Sequence, residues 1–252
     1  MILDKFRLDG KIAVVTGATK GIGKAMSLAL AEAGADIAAV SRRPDPDIEK
    51  RVLALGRRYL HHSADLMNRE DSRKVIPAIV EKMNDVDILV NNAGIIRRSP
   101  AIEHSEADWD ATLEIDLTAT FILSQAAGKV MLRKGRGKII NVSSVLAFQG
   151  GVNVAGYVSA KHGVAGLTRA LANDWASEGV NVNALAPSFF ITEFTEAIQK
   201  DPERSKSITA RTPAGRWGNA EDMAGATVFL ASPASDFING VILPVDGGWM
   251  AW

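Results

Sequence analysis

Short apolar segments alternate with helical segments along the whole chain, and this alternation restricts the possible folds more than any other feature. The apolar segments are Lys11–Thr16, Asp36–Ser41, Tyr59–Ser63, Val86–Asn91, Gly137–Ser143, Val180–Leu185 and Val241–Val245. Between the first two, apolar residues from Ile22 to Ala33 recur at helical spacing, and Gly34 suits a C-terminal cap. Strands that alternate with helices pair in parallel through right-handed crossovers, with helices on both faces. The pattern therefore predicts an α/β fold with a doubly wound parallel sheet of about seven strands.

No repeat, low-complexity linker or change of composition divides the 252 residues. We therefore expect a single domain over residues 1–252. Residues 189–211 are the least periodic part of the chain and contain Asp-Pro and several charges. They are expected to form an insertion over the functional site, either a helical lid or a plain surface loop.

Composition excludes several classes of function. The chain has no cysteine, so it has no disulfide scaffold, thiolate metal site or cysteine nucleophile. Its 29 basic and 29 acidic side chains give no basic excess for nucleic acid or a membrane surface. Without an apolar run of about 18 residues or a signal-peptide core, we expect no membrane span and a cytoplasmic protein. The 4 histidines lack metal-ligand spacing, so no metal site is predicted.

A glycine-bearing turn, Thr16–Gly23, follows the first predicted strand and opens the first predicted helix. Gly17, Gly21 and Gly23 permit a close approach of the backbone to a pyrophosphate, which a helix N-terminus also favours. Glycine-rich turns are common, so this turn gains its meaning from its position after the first strand. It predicts a Rossmann-type dinucleotide site at the carboxyl ends of the strands.

The end of the second predicted strand should decide between the two nicotinamide cofactors. An acid there would bind the ribose 2′-hydroxyl and repel a 2′-phosphate. This strand ends in Ser41-Arg42-Arg43, and the first acid is Asp45. Arginine offers charged bidentate donors to phosphate, and Lys20 in the glycine turn adds a positive charge. The sequence therefore predicts NADP(H) in preference to NAD(H), which stays possible; the alternative is that these basic groups lie in solvent.

Polar groups also follow the third and fourth predicted strands. Asp65 can accept a hydrogen bond from an adenine amino group or, equally, cap a helix. The turn Asn91-Asn-Ala-Gly94 ends the fourth strand. Its small residues leave room for ribose and nicotinamide, and its amides can tie the turn to its neighbours.

Tyr157 and Lys161 are spaced so that they share one face of a helix. A free tyrosine has a pKa of about 10, too high for a base near neutrality. A nearby ammonium and a positive nicotinamide ring both favour the phenolate and should lower that pKa. Ser144, after the fifth strand, can donate a hydrogen bond to a substrate oxygen as charge develops on it, or can act as a turn or cap serine.

Together these segments resemble the classical short-chain dehydrogenases/reductases, in the family's order and over essentially the whole chain. The segments are Thr16–Gly23, Asn91–Gly94, Ser144, Tyr157–Lys161, Asn183–Pro187 and Asp246–Gly248. The resemblance implies that Tyr157 is the proton donor in reduction, that Ser144 binds the carbonyl and that Lys161 binds the nicotinamide ribose. It also implies a homotetramer and nicotinamide contacts from Pro187 through Thr192. The expected cofactor contacts are Gly17, Thr19, Lys20, Gly21, Ile22, Gly23, Ser41, Arg42, Arg43, Asp65, Leu66, Asn91, Ala93, Gly94, Tyr157, Lys161, Pro187, Phe190 and Thr192.

Two positions depart from the family pattern. Asp116 stands where the family usually has an asparagine that supports a water chain to the lysine. Asp116 can still offer its backbone carbonyl and hold Lys161 protonated, or it can misplace the relay; we count it among the catalytic residues. Ser188 replaces the glycine that usually follows the proline, which alters the shape expected around the nicotinamide.

Within the family, the chain most resembles the 2-dehydro-3-deoxy-D-gluconate 5-dehydrogenases. The matching segments are Ile95–Arg98, Ser105–Trp109, Ala147–Gly151, Thr212–Gly218 and Asp246–Ala251. This resemblance implies that the substrate is a small keto or hydroxy sugar acid, 2-keto-3-deoxygluconate or a related uronate that is reduced with NADPH. Those dehydrogenases typically favour NAD, whereas Ser41-Arg42-Arg43 favours a phosphate.

A sugar acid carries a carboxylate, which needs cationic donors. Arg97 and Arg98 follow the Asn91–Gly94 turn, and we expect at least one of them to bind the carboxylate, the alternative being a solvent-facing pair. The expected substrate residues are Arg97, Arg98, Ser144, Gln149, Tyr157 and Trp217. Trp217 and Trp249 can form an apolar wall, and Trp249 and Trp252 are expected to pack between subunits.

Other functions remain open at this point. A gluconate 5-dehydrogenase shares several of these segments. A 3-oxoacyl-carrier-protein reductase would need a basic docking patch and has no evident use for Arg97-Arg98. A catalytically idle dinucleotide sensor on the same fold would typically lack the tyrosine or the lysine, and both are present.

Overall fold

A computed structural model of the protein describes residues 1–251, so Trp252 and its expected subunit contact lie outside the described residues. The strands form one sheet in the order β3-β2-β1-β4-β5-β6-β7, and all neighbouring pairs are parallel. They are β1 (Ile12–Thr16), β2 (Asp36–Ser41), β3 (Tyr59–Ser63), β4 (Ile88–Asn91), β5 (Gly137–Val142), β6 (Val180–Pro187) and β7 (Ile242–Val245). The fold class predicted from the sequence is confirmed.

The strand bounds differ from the predicted ones mainly at β4 and β6. β4 begins at Ile88, two residues after the predicted start, and the carboxylate of the preceding Asp87 accepts a hydrogen bond from the backbone N–H of Ile12 at 3.1 Å. β6 continues to Pro187, whose ring needs no donor at a strand end, and Pro187 pairs with Val245 of β7. Both differences lie within two residues of a strand end.

The α-helices are α1 (Gly21–Glu32), α2 (Pro46–Ala54), α3 (Arg69–Met83), α4 (Glu106–Leu113), α5 (Ala119–Lys134), α6 (Ala155–Trp175), α7 (Glu196–Gln199), α8 (Pro202–Arg211) and α9 (Ala224–Ala231). A π-helical turn, Glu114–Thr118, joins α4 to α5. None of the helices within residues 1–251 is long and apolar enough to cross a membrane.

Helices cover both faces of the sheet. On one face, residues such as Met26 of α1, Val52 of α2 and Leu230 of α9 pack against the strands. On the other face, α3, α5 and α6 contribute residues such as Ile79 and Leu123. Because both faces are buried, central strands such as β1, β4 and β6 are apolar runs or nearly so, which explains why the sequence pattern identified them, whereas the edge strands β3 and β7 are only partly buried.

The chain runs from β1 outward to β2 and β3, then returns to β4 on the other side of β1. In open parallel sheets, ligands bind at such a switch point, outside the carboxyl ends of the strands. The glycine turn after β1 and the Asn91–Gly94 turn after β4 therefore meet at the expected crevice.

A third, smaller apolar cluster lies beside this crevice. It consists of Val145, Ile198, Ile208, Trp217 and Trp249. Ile198 and Ile208 belong to α7 and α8, within residues 189–211. The insertion is thus helical and has its own small core; its action as a lid stays a prediction.

Candidate active site

The glycine turn is packed so closely that only glycine fits at two of its positions. Gly17 has φ +64°, in the left-handed region, and a Cβ there would lie 2.8 Å from Nδ2 of Asn92. A Cβ on Gly23 would lie 2.2 Å from the carbonyl oxygen of Gly17 and 2.4 Å from the same Nδ2. α1 thus starts flush against the turn, with its free N–H groups directed to the crevice.

Thr16 and Asn92 join the glycine turn to the turn after β4. The hydroxyl of Thr16 accepts hydrogen bonds from the backbone N–H groups of Asn92 and Ala93, both at 3.0 Å. The Nδ2 group of Asn92 donates to the carbonyl of Thr16 at 2.9 Å. Neither side chain was predicted to belong to the site, although Thr16 lies in the segment Thr16–Gly23 and Asn92 in the turn Asn91–Gly94. They fix the relative position of the two turns that border the crevice.

The side chain of Asn91 points into the protein rather than into the crevice. Its Nδ2 donates to Ser124 Oγ and to Asn141 Oδ1, both at 2.9 Å. The Asn91 amide therefore has a structural role, as the sequence allowed for the amides of this turn. Ala93 and Gly94 are half-buried at the crevice, and Gly94 packs against the carboxylate of Asp116.

At the end of β2, two arginines extend into solvent. Arg42 and Arg43 are exposed, and within residues 1–251 neither side chain has an acidic partner. The hydroxyl of Ser41 donates to the carbonyl of Arg43 at 2.7 Å, which shapes the loop. The nearest acid, Asp45, is bound by Lys24 Nζ at 2.6 Å and caps α2 through the N–H of Asp47. The carboxylate that could repel a 2′-phosphate is thus already neutralised.

Within the described residues, Lys20, unlike Arg42 and Arg43, has an acidic partner. Its Nζ pairs with Glu193 Oε2 at 2.8 Å, between the glycine turn and the start of the insertion. Thr192 lies close by, with Cγ2 3.2 Å from the Cβ position of Gly21. The positive charge expected from Lys20 at a phosphate is therefore shared with an acid.

Asp65 and Leu66 follow the carboxyl end of β3. Asp65 is exposed and its Oδ1 accepts from the N–H of Met67 at 3.1 Å, so it closes a local turn. The cap of α3 is Asn68, which accepts from Glu70. Since the cap belongs to Asn68, the carboxylate of Asp65 keeps capacity to accept another hydrogen bond.

The chemical centre lies between β5 and α6. Tyr157 and Lys161 share a face of α6, with Lys161 Nζ 5.3 Å from the centre of the phenol ring. Ser144 Oγ accepts from the N–H of Leu146 at 3.1 Å, which leaves its hydroxyl proton free to be donated. Ser144 is thus both a cap, as the alternative allowed, and a possible donor at the site.

Lys161 is buried and doubly held. Its Nζ donates to the carbonyl of Val142 at 3.0 Å and lies 3.1 Å from Asp116 Oδ2. Asp116 is also buried, and its Oδ1 accepts from the N–H of Ile95 at 2.8 Å. The substituted aspartate therefore pairs with the lysine instead of standing apart from it.

The backbone of Asp116 belongs to the π-helical turn Glu114–Thr118. Such turns rearrange the carbonyl pattern of a helix and often occur at functional sites. The carbonyl of Asp116 accepts from the hydroxyl of Thr120 at 3.0 Å. A carbonyl oxygen has a second lone pair, so this group can still accept a further hydrogen bond.

The charges at this centre act on one another. Burial raises the pKa of the Tyr157 phenol, a shift that the Lys161 ammonium and a hydrogen bond with Ser144 oppose and that the Asp116 carboxylate reinforces. Burial lowers the pKa of Lys161, but the negative charges of Asp116 and of the Tyr157 phenolate together outweigh this effect, and the net pKa is raised. Burial also raises the pKa of Asp116 against the effect of Lys161. Lys161 consequently stays protonated near neutral pH.

The two arginines expected at the substrate lie in different environments. Arg97 Nε is 3.3 Å from Asp108 Oδ1, so its charge is paired. Arg98 has no ion pair or side-chain hydrogen bond within the described residues. Its charge favours the phenolate of Tyr157 and so lowers the pKa of that group.

The remaining expected substrate residues lie near the insertion. Trp217 is buried and its ring meets Phe189 edge-on at 5.6 Å, so it supports the wall of the site from behind. Gln149 is half-buried and its Oε1 lies 3.4 Å from a guanidinium nitrogen of Arg211. The expectation that Trp249 packs between subunits is wrong, because Trp249 is buried within this chain against Phe189 at 4.9 Å and under Arg211.

The segment after β6 turns sharply at the mouth of the crevice. Phe190 is buried, with its ring on Gly218, and bridges to that residue. The departing residue Ser188 donates to the carbonyl of Asp246 at 3.1 Å, a bond that glycine could not make. Phe194, which the sequence analysis did not single out, lies 5.9 Å from the ring of Tyr157.

These observations fit a nicotinamide dinucleotide. The glycine cradle, the free helix N-terminus and the unpaired arginines would hold its phosphates, and the small turn at Ala93 and Gly94 leaves room toward Tyr157. A bound nicotinamide would supply or accept a hydride at that place. Within the described residues, no group of three or more His, Asp or Glu could hold a metal ion.

A phenol that shares a helix face with a buried lysine, near a glycine turn at the carboxyl ends of parallel strands, is typical of one class of protein. The chain is an NAD(P)-dependent oxidoreductase that acts on CH–OH and C=O groups. The comparisons agree. A family model described as enoyl-(acyl carrier protein) reductase matches residues 17–250, and the chain belongs to the short-chain dehydrogenase/reductase family.

Similar proteins come from three bacteria. The 2-dehydro-3-deoxy-D-gluconate 5-dehydrogenase of Escherichia coli is 47% identical over 100% of both chains. An Agrobacterium tumefaciens protein solved with bound NADP is 46% identical over 98% of this chain and 99% of that chain, with a TM-score of 0.93. A gluconate 5-dehydrogenase from Burkholderia cenocepacia, in complex with NADP and tartrate, is 39% identical over 100% of both chains, with a TM-score of 0.95.

Proposed function

We propose that this protein is an NADP(H)-dependent dehydrogenase of 2-keto-3-deoxygluconate, which oxidises the hydroxyl at carbon 5 or reduces the corresponding ketone. The observation that supports an acid substrate is Arg98, an arginine that follows the Asn91–Gly94 turn at the carboxyl end of β4 and, within residues 1–251, is exposed without an acidic partner. The curated relative of 47% identity, a 2-dehydro-3-deoxy-D-gluconate 5-dehydrogenase, supports the choice of acid.

The proposed proton path uses groups of this chain only. In oxidation, Tyr157 as phenolate takes the hydroxyl proton while Ser144 donates a hydrogen bond to the same oxygen. The ammonium of Lys161, held by Asp116, stabilises the phenolate and would also bind the nicotinamide ribose. In reduction the steps run backwards, and Tyr157 returns the proton to the carbonyl oxygen.

The proposed preference for NADP(H) rests on the end of β2. Arg42 and Arg43 are exposed without acidic partners, and Asp45 is bound by Lys24. The relatives from Agrobacterium and Burkholderia, both solved with NADP, support this choice. NAD(H) lacks the 2′-phosphate and would gain less from the two guanidinium groups.

Initial rates of NADP⁺ and NAD⁺ reduction would test both parts. We expect rapid reduction of NADP⁺ with 2-keto-3-deoxygluconate, slower reduction of NAD⁺, and little with gluconate. The variant Arg42→Asp should raise the KM for NADP⁺ sharply, whereas Arg51→Asp, a matched exposed arginine on α2, should not. Faster reduction with gluconate would favour a gluconate 5-dehydrogenase, and an unchanged KM in Arg42→Asp would refute the role of that arginine.

A further inference from the structure

The ring of Phe194 packs against the phenol of Tyr157. Phe194 belongs to a short 3-10 turn, Glu193–Thr195, at the start of α7, and the two ring centres are 5.9 Å apart with their planes inclined by 50°. Aromatic rings at this separation and tilt are in favourable contact. Phe194 is also 40% exposed, and within the described residues it belongs to none of the buried apolar clusters. Its ring therefore contacts the reacting group without being part of a core.

The backbone on both sides of Phe194 is fixed by side-chain hydrogen bonds. Thr195 Oγ1 donates to the carbonyl of Phe190 at 2.5 Å. Gln199 Nε2 donates to the carbonyl of Thr192 at 3.0 Å and to Thr195 Oγ1 at 2.8 Å. These bonds set the position of the turn, so the ring is held over the phenol even though half of its surface is open.

The residues before Phe194 contact the glycine turn. Glu193 Oε2 lies 2.8 Å from Lys20 Nζ, and Cγ2 of Thr192 lies 3.2 Å from the Cβ position of Gly21. An exposed ion pair contributes little energy on its own, so we regard it as an additional contact and not as the main support. Three consecutive residues thus reach from the glycine turn to the catalytic phenol.

Charged and polar groups from several parts of the fold act on the phenol of Tyr157. They are Lys161, Asp116, Ser144 and Arg98. Phe194 adds an apolar ring to this group. Burial is the largest influence on the pKa of the phenol and raises it, because water no longer stabilises the phenolate. A ring that packs on the phenol contributes to this exclusion of water.

We propose that Phe194 is a positioning residue for the reaction, whose ring shields the Tyr157 phenol from water so that the phenolic proton passes to and from the substrate oxygen and not directly to solvent. This inference rests on the proposed function, in which Tyr157 is the acid and base, and deepens it. Phe194 acts by excluding water and carries no charge. An apolar side chain of similar size should therefore replace it, whereas a small polar side chain should not.

The ionisation of Tyr157 can be measured directly, because the chain has only 2 tyrosines. Burial raises the pKa of the other one, Tyr59, to about 12, and its hydroxyl is buried without a hydrogen-bond partner in the described part of the chain. Tyr59→Phe therefore removes the second signal and serves as the background. The near-ultraviolet absorbance of the phenolate is titrated in the complex with NADP⁺, and circular dichroism restricts the comparison to pH values at which each variant is folded.

We expect Phe194→Ser to lower the pKa of Tyr157 by about 0.5–1 unit, since water then reaches the phenolate. A larger fraction of the phenol should be ionised at each pH. Phe194→Leu should stay close to the native titration, because leucine is apolar. Phe237→Ser, at an exposed phenylalanine before the amino end of β7, is the control and should cause no shift. With 2-keto-3-deoxygluconate, the rising limb of kcat/KM should move to lower pH in Phe194→Ser by the same amount.

An unchanged or higher pKa of Tyr157 in Phe194→Ser would overturn the proposal, and so would equal shifts in the serine and leucine variants. The titration needs no substrate, so it separates this inference from the proposed function. If 2-keto-3-deoxygluconate is not oxidised but the ionisation responds to Phe194→Ser and not to Phe194→Leu, the substrate is wrong and the role of Phe194 stands. If the acid is oxidised and the ionisation is the same in all variants, the proposed function stands and the role of Phe194 is refuted.

Discussion

At Asp116, a carboxylate occupies a position where the family usually has a neutral amide, and the protein has adapted to it by pairing it with Lys161 at 3.1 Å. A buried ion pair stabilises only when its geometry and hydrogen bonds compensate for lost hydration. Here the N–H of Ile95 and the carbonyl of Val142 complete the pair. The pair also changes the electrostatic field at the phenol, since the negative charge cancels part of the ammonium's effect on Tyr157.

The variant Asp116→Asn should therefore shift the pH dependence of oxidation. The Asp116 carboxylate raises the pKa of Tyr157, so its removal lowers that pKa. Because the phenolate is the base, the rate rises as pH passes this pKa, and the rising limb of kcat/KM should move to lower pH. Asp110→Asn, at an exposed position of α4, is the control and should leave the limb in place. A limb that stays fixed or moves to higher pH in Asp116→Asn would contradict the assignment.

Gly23 and Gly166 allow a matched test of the glycine turn. A Cβ on Gly23 would lie 2.2 Å from a backbone carbonyl that cannot move aside, whereas nothing lies within 4 Å of one on Gly166 in α6. Gly23→Ala should greatly weaken NADPH binding, measured by fluorescence titration, and lower Tm. Gly166→Ala should instead raise the free energy of unfolding by about 0.5–1 kcal/mol and leave binding unchanged. Native affinity in Gly23→Ala would show that the turn is not the cradle.

At the scale of elements, α8 and the sheet have separate cores. Ile208 belongs to the small cluster under α8, while Ile79 of α3 belongs to the large cluster on the sheet. A helix held by a small cluster opens locally at a lower free energy than the whole domain. α8 can therefore loosen without unfolding of the sheet.

Truncation of each isoleucine should separate these two kinds of opening. Ile79→Ala should lower the global free energy of unfolding by about 2–5 kcal/mol, with hydrogen exchange in residues 193–211 unchanged. Ile208→Ala should speed exchange in residues 193–211 and raise the KM for substrate, with a smaller change in global stability. Equal global losses in both variants would mean that α8 unfolds together with the sheet.

The sequence predicted elements well wherever a local pattern determines them. β2 has the predicted bounds because it is a short buried apolar run, and β3, a half-buried strand at the edge of the sheet, also has the predicted bounds. Contacts between distant segments left no local signal, so the pairings of Lys20 with Glu193 and of Arg97 with Asp108 were not predicted. Trp249 was misplaced because a large apolar side chain near a chain end suits a subunit contact or an internal core equally well.

At the scale of the whole molecule, the homotetramer implied by the family resemblance stays a prediction. Exposed apolar side chains such as Phe121 of α5 and Trp109 of α4, 42% and 36% exposed, are consistent with self-association. Light scattering coupled to size exclusion should give a mass four times that of the chain across micromolar concentrations. A mass equal to that of one chain would refute the prediction.

Because the seven strands are parallel, all their carboxyl ends lie on one side of the molecule and all their amino ends on the other. All the groups assigned to chemistry follow the carboxyl ends of strands or the helices that start there. The amino ends of the strands carry structural ion pairs, such as the pair of Lys134 with Asp87 at 3.1 Å. Substitutions at the carboxyl ends of the strands should therefore change kinetics, and substitutions at the amino ends should change stability.

We expect Lys161 to contribute both to kinetics and to stability. Its ammonium holds the carbonyl of Val142 in β5, and its own carbonyl accepts from Ser143 Oγ at 3.1 Å, so one residue fastens α6 to the sheet. Its pKa is raised in the folded protein, so this contribution to stability is complete below the unfolded pKa of about 10.5 and is lost as pH rises through the folded value. At strongly alkaline pH the ammonium of Lys161 would lose its proton, so its contribution to stability and its proposed role beside Tyr157 would be lost together. Inactivation at alkaline pH should then be a single cooperative transition, in which catalytic activity and the attachment of α6 to the sheet are lost together.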